Sequence, residues 1–317
     1  MTFNALHERL KHPDAGVRRV AVIALADEGD EDQLPWLLAA LADEADEVRA
    51  EAAQRLAGWE QAEVVDALAQ ALLDTHEPVR QAAASSLSEL KTAPAGHRLL
   101  PFALHADAFV RAAVLRALRE LRLPEAAEPA LIALRHADAS VRREAVGVLG
   151  WLKHREALLA LTRIAASDAD AEVRRAATGA LGLASTEQAA DVFSALIGAL
   201  ADSAWPVREE AASTLGKLRL RDAVPALVDA LADDYWQVRL RATRALGQLA
   251  AAAAIPALGE ALRHEVSNLR KEAAIALGET ADASALPLLY TAQADLDPEV
   301  RKLARLSIAR LDKALAA

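Results

Sequence analysis

A Val-Arg dipeptide returns along this 317-residue chain at Val17, Val48, Val79, Val110, Val141, Val173, Val207, Val238 and Val300, with Leu269-Arg270 in the remaining slot. Most steps are 31 residues, with one of 32 and one of 34 between Val141 and Val207. Ten units of about 31 residues use up the chain, so the expectation is a single repeat domain over residues 1–317 with a longer junction near 183–191.

Within each unit the fourth residue after the Val is Ala in nine copies and Val114 in the other; the eighth is Leu in nine and Ile308 in the last. Positions 0, +4, +7 and +8 share one face of an α-helix at 3.6 residues per turn, which predicts an amphipathic helix B in every unit. Pro35, Pro225, Pro256 and Pro287 stand thirteen residues before the Val or its Leu equivalent and mark the first turn of a preceding helix A. Asp14, Asp107, Asp138, Asp170 and Asp297, three before the Val, are placed to cap helix B. The composition agrees, because a chain 53% hydrophobic but only 3% aromatic favours helices packed through small side chains. Pairs of this length cannot bury their apolar faces alone, so the expected fold is all-α, a right-handed α-solenoid of about ten helix-turn-helix units.

The absence of Cys excludes disulfides and thiolate metal sites. No apolar stretch approaches the twenty residues of a membrane span and the N-terminus lacks a signal-peptide pattern, so a soluble cytoplasmic protein is expected.

Ala230-Leu231, Asp233, Val238-Arg239, Ala242 and Leu246-Gly247 together resemble the HEAT-like repeat of the phycobilisome-lyase type, and the resemblance covers essentially all ten units. It implies that helix B lines a concave side and that turn Asp and Arg residues form ladders between units. It implies no single function, since such repeats serve scaffolds, lyases and oxygenases. Deoxyhypusine hydroxylase is similar in size and repeat type, and its family places His-Glu iron ligands inside helix B. Here Glu51, Glu144, Glu210 and Glu272 occupy the Glu position, but Ala50, Arg143, Glu209 and Lys271 precede them, so the ligand histidines are missing.

Five residues before each Val or Leu stands His12, Asp43, Asp74, His105, His136, Asp168, Asp202, Asp233, His264 or Asp295. Adjacent repeats lie about 10 Å apart, too far to share a metal ion, so this position is expected to end helix A and to pair with an arginine of a neighbouring unit.

Opposite the core stripe of helix B, positions +2, +5, +6 and +9 are expected to face the concavity. The +2 and +6 positions carry Arg19, Arg116, Arg143, Arg175, Arg244, Lys271 and Lys302 against Glu209 alone, a basic face on a chain of net charge −10. Gly147, Gly150, Gly179 and Gly182 would let a partner approach the backbone. Trp205 and Trp236 occupy equivalent turn positions with Tyr235 beside the second, an arrangement suited either to an interface or to sealing the ridge.

These features predict a non-catalytic protein-binding scaffold that captures an acidic protein segment through Arg116, Arg143, Arg175, Arg244, Lys271, Trp205, Tyr235 and Trp236, without cofactor or metal. A bilin-lyase-like or other accessory enzyme is the alternative. Nucleic acid fits less well, because the basic stripe has no interleaved aromatics. The apolar first and last B helices, with Val20, Ile23, Leu303, Leu306 and Leu315, also suggest self-association.

Overall fold

The computed structural model describes residues 3–28, 31–153 and 157–316, and among these no residue is in a strand. The chain separates into two compact units, Met1–His154 and Arg155–Ala317. The first contains α1 (Phe3–Arg9), α2 (Ala15–Glu28), α3 (Leu34–Ala40), α4 (Asp46–Arg55), α5 (Ala62–Ala71), α6 (Glu77–Leu87), α7 (Ala93–Leu99), α8 (Ala108–Arg119), α9 (Ala127–Ala133) and α10 (Ala139–Leu152). The second contains α11 (Leu158–Ser167), α12 (Ala171–Leu181), α13 (Ala189–Ala199), α14 (Trp205–Lys217), α15 (Val224–Asp229), α16 (Trp236–Gln248), α17 (Ile255–Ala261), α18 (Ser267–Glu279), α19 (Leu286–Ala292) and α20 (Pro298–Leu315). Odd-numbered helices are the A helices, even-numbered ones the B helices. Each unit is a stack of such pairs, the arrangement of an α-solenoid, with successive B helices packed side by side.

The helix limits follow local chemistry. Pro35, Pro225, Pro256 and Pro287 are second residues of their A helices, where a missing N–H costs nothing. Asp107, Asp138, Asp170 and Asp297 each accept a backbone N–H from the first turn of the following B helix.

The core repeats with the sequence. The alanines at +4 and the leucines at +8 are shut from solvent in repeat after repeat, as at Ala211 and Leu215 or Ala242 and Leu246. Small Ala lets the A and B helices approach, while Leu fills the space between them.

The inner stripe differs from its expected form. Position +5 is buried, as at Ala53, Leu115, Val146, Thr178, Ala212, Thr243 and Ala274. Position +9 is a packing seam: a Cβ on Gly216 would lie 2.9 Å from the Cα of Ala245, and one on Gly247 2.9 Å from the Cα of Ala276. Successive B helices touch edge to edge, so both positions turn toward the neighbouring helix. Nor are the other glycines open floor. A Cβ on Gly147 would meet the Arg119 side chain at 2.8 Å, and one on Gly179 or Gly182 would meet Glu210 or Thr214.

Turns between A and B are joined by a ladder. The arginine after the Val reaches forward to the aspartate five before the next Val: Arg18 to Asp43, Arg49 to Asp74, Arg174 to Asp202, Arg208 to Asp233 and Arg270 to Asp295, at 2.6–2.8 Å. A terminal nitrogen of the same guanidinium donates back to the carbonyl six residues earlier, as from Arg49 to Asp43 at 2.8 Å. Each pairing is charge-assisted and two-pronged.

The aspartate also accepts the N–H two residues on, as Asp202 does from Ala204 at 2.8 Å. Histidine at the same position performs that second task with Nδ1: His12, His105, His136 and His264 accept from Asp14, Asp107, Asp138 and Val266 at 3.0–3.1 Å. Among the described residues only the aspartates at this position pair with an arginine of the neighbouring repeat, which corrects the expectation for the histidines; an imidazole that accepts through Nδ1 has no negative charge to offer a guanidinium. Arg80, facing His105, reaches Asp107 instead at 3.1 Å.

Candidate functional site on the B-helix face

The basic residues predicted from +2 and +6 emerge on the B-helix face, but with acidic neighbours. Position +3, one residue along, carries glutamates that sink between successive B helices, and the arginines close over them. Glu51 is held by Arg19 at 2.9 Å and Arg55 at 2.8 Å. Burial works against its charge, but these guanidinium hydrogen bonds keep its carboxyl below the ordinary value. Arg116 and Arg143 converge on Glu144 at 3.2 and 3.3 Å. Arg244 meets Glu272 through Nε at 2.8 Å and Nη2 at 3.0 Å, a fork that raises the Arg244 pKa. Lys271 is tied to Asp297 at 3.0 Å. These cations are therefore local ion-pair partners as well as surface charge.

Within the second unit, α12, α14 and α16 frame a polar cleft of about 390 Å³. Arg175, Lys217, Arg241 and Arg244 line it, opposed within the lining by Glu209 and Glu210. Arg241 pairs with Glu209 at 3.0 Å, whereas Lys217 stands 3.9 Å from Glu210, beyond a hydrogen bond. Arg175 leans on Glu172 of its own helix at 2.9 Å and remains half-exposed. Each of the four cations has a carboxylate neighbour, so the cleft is a mixed-charge surface in which Arg175 and Lys217 are the most loosely held, with Ser213 and Gln248 adding neutral hydrogen-bonding groups.

The fold thus brings Arg175 and Arg244 into one cleft and gathers Arg116 and Arg143 on a different carboxylate in the first unit. Arg241, at +3, and Lys217, at +10, were not singled out in the sequence. Both lie on the same helical face as +6, so extending the stripe by one turn in each direction would have found them.

The aromatic residues form a separate feature at the A–B turns, and none of them lines the cleft. Trp205 opens α14, Tyr235 precedes α16 and Trp236 opens it. Trp205 stacks on Tyr235, ring centroids 5.5 Å apart and planes 16° from parallel. The Arg208 guanidinium sits 5.6 Å from the Tyr235 centroid while gripping Asp233. The stack therefore spans two consecutive turns beside a ladder pair. Trp236 is half-buried, and its ring has no counterpart to that stack among the described residues.

Among the described residues, no group of three or more His, Asp or Glu side chains is placed to hold a metal ion. No described helix is long and apolar enough to cross a membrane.

Comparison with known proteins agrees with the architecture. An engineered protein of known crystal structure shares 22% identity, aligned over 97% of this chain and 98% of its own, with a TM-score of 0.55. YibA of Escherichia coli shares 19% over 96% of this chain and 99% of its own, at a TM-score of 0.54. Kap95p, in a structure with RanGDP, gives a TM-score of 0.65 at 16% identity; this chain aligns throughout but spans only 51% of that one. No curated protein matches the sequence. The model for HEAT repeats matches residues 1–57, 34–119, 96–182, 127–198, 165–246 and 229–309. The chain therefore belongs to the HEAT-repeat family.

Proposed function

We propose that this protein is a non-catalytic scaffold that captures an acidic protein segment on its B-helix face, with the cleft between α12, α14 and α16 as the principal contact. The observation that carries the reading is that Arg175, Lys217, Arg241 and Arg244 line one cleft, with Arg175 and Lys217 held there only by loose carboxylate contacts. Carboxylates of a partner would compete with the weak Lys217–Glu210 contact and with the exposed Arg175–Glu172 pair, both of which cost little to exchange. Lys271 extends the same type of surface to the ninth repeat, and within the first unit Arg116 and Arg143 make a comparable one around Glu144. Membership of a repeat family whose structural relatives include Kap95p, solved with RanGDP, supports a binding role.

A fluorescein-labelled peptide of alternating Glu and Gly, followed by anisotropy at rising salt, tests the reading. The wild type binds at low salt, and Arg175→Glu with Arg244→Glu weakens binding at least tenfold and flattens its salt dependence. Unchanged affinity in that variant refutes the assignment. Equal affinity for a short DNA duplex, retained at physiological salt, would replace it with nucleic-acid binding.

Self-association through the terminal repeats belongs to the same reading. Val20 of α2 and Leu306 of α20 are each more than half exposed. Sedimentation at micromolar concentration showing only monomer would remove it.

A further inference from the structure

Arg239 departs from the ladder. Arg18, Arg49, Arg174, Arg208 and Arg270 each grip an aspartate of the next repeat with two nitrogens at 2.6–3.0 Å. Arg80 has Asp107, while Arg111 and Arg301 hold backbone carbonyls. In the slot opposite Arg239 stands His264, and the Arg239 side chain makes no hydrogen bond to any described residue. Its Nε is closed off from solvent with no acceptor, an arrangement that costs free energy unless something fills it. The nearby Asp233 is already engaged, by Arg208 and by the Tyr235 N–H.

At this break a groove of about 340 Å³ opens on the A-helix side between repeats eight and nine. Arg239 and His264 contribute polar groups to its lining, and Val228, Leu231, Ala257 and Leu269 contribute apolar wall. His264 Nδ1 accepts the Val266 N–H at 3.0 Å, so the neutral ring keeps its hydrogen on Nε2 and can donate from there. Glu260 also borders the groove, but Arg263 pairs with it at 2.8 Å and offsets its charge.

We propose that this groove binds a small aliphatic carboxylic acid, whose carboxylate takes the place of the missing ladder aspartate on Arg239 while its branched hydrocarbon chain lies along the apolar wall. The chemistry is set by the five aspartate joints, where the arginine in the same helical position closes on a carboxylate. The size and lining of the groove suit a body comparable to a leucine side chain. The site is separate from the B-helix cleft, so its failure leaves the scaffold reading untouched.

Isothermal titration of the full chain with 4-methylpentanoate tests the proposal, with 4-methylpentanamide as the uncharged control. The acid binds at millimolar concentration or below, and the amide at least about tenfold more weakly. Arg239→Gln loses the same factor while keeping its fold by circular dichroism. His264→Asp places a carboxylate in the slot from within. It raises the melting temperature in the absence of ligand and abolishes binding. Equal affinity for acid and amide, unchanged binding by Arg239→Gln, or no binding of the acid at millimolar concentration overturns the proposal. So does binding confined to peptides that end in a free leucine carboxylate.

Discussion

Arg174 and Asp202 meet as a fork, Nε to Oδ2 at 2.7 Å and Nη2 to Oδ1 at 2.8 Å, across the joint between the sixth and seventh repeats. Both side chains are little more than a tenth exposed, so neither charge has water to fall back on. Removing one partner strands the other. Asp202→Asn or Arg174→Ala should each cost about 3 kcal/mol in urea unfolding, and the double variant clearly less than the sum. The exposed Arg263–Glu260 pair provides the contrast, with loss of either partner costing below about 0.5 kcal/mol.

The ladder also sets an acid limit. The arginine hydrogen bond is the largest influence on Asp74, Asp202 and Asp295 and holds each carboxyl below its ordinary value, against the opposing effect of burial. A carboxyl whose pKa is lower folded than unfolded contributes stability that is complete above the unfolded value and is lost as pH falls through the folded one. The melting temperature should therefore hold steady near neutrality and drop once pH falls below about 4, the range of free Asp. Asp202→Asn should shallow that drop. A melting temperature that rises on acidification would contradict the ladder's role.

Glycine substitutions separate packing from conformational freedom. Alanine at Gly247 places a methyl 2.9 Å from the Cα of Ala276, and backbone cannot step aside, so α16 and α18 must part. A loss of about 1–3 kcal/mol is expected by thermal unfolding. Gly198, inside α13, has nothing within 4 Å of an added Cβ, and Gly198→Ala should stabilise by about 0.5–1 kcal/mol.

The Trp205–Tyr235 stack should be worth about 1 kcal/mol in a double-mutant cycle, from its offset aromatic geometry across two turns. If the stack only seals the ridge, Trp205→Ala with Tyr235→Ala lowers stability and leaves acidic-peptide affinity unchanged. Weaker peptide binding by a folded double variant would place the aromatics in the interface.

Much of this framework can be read from one repeat. Val238, Ala242 and Leu246 announce their buried face through spacing along a single helix, and Pro225 and Asp297 mark helix starts through strictly local chemistry. What one helix cannot reveal is which of its edges meets the next. Gly216 and Thr243 therefore look like open inner-face positions until Ala245 and the neighbouring B helix are placed against them. For the same reason Arg116 and Arg244 look free, since Glu144 and Glu272, their partners, are 28 residues away and belong to another turn of the stack. Equivalence of Asp and His five before the Val was visible as a pattern. Its cause was not, because the shared feature is a lone pair aimed at a backbone N–H rather than a shared affinity for arginine.

That shared lone pair divides each joint into a hinge pin and a latch. Imidazole and carboxylate serve equally well as the pin, so the bend of the chain survives either choice, but only the carboxylate closes the latch on the preceding guanidinium. One side chain can thus uncouple a single joint electrostatically while leaving its backbone course intact.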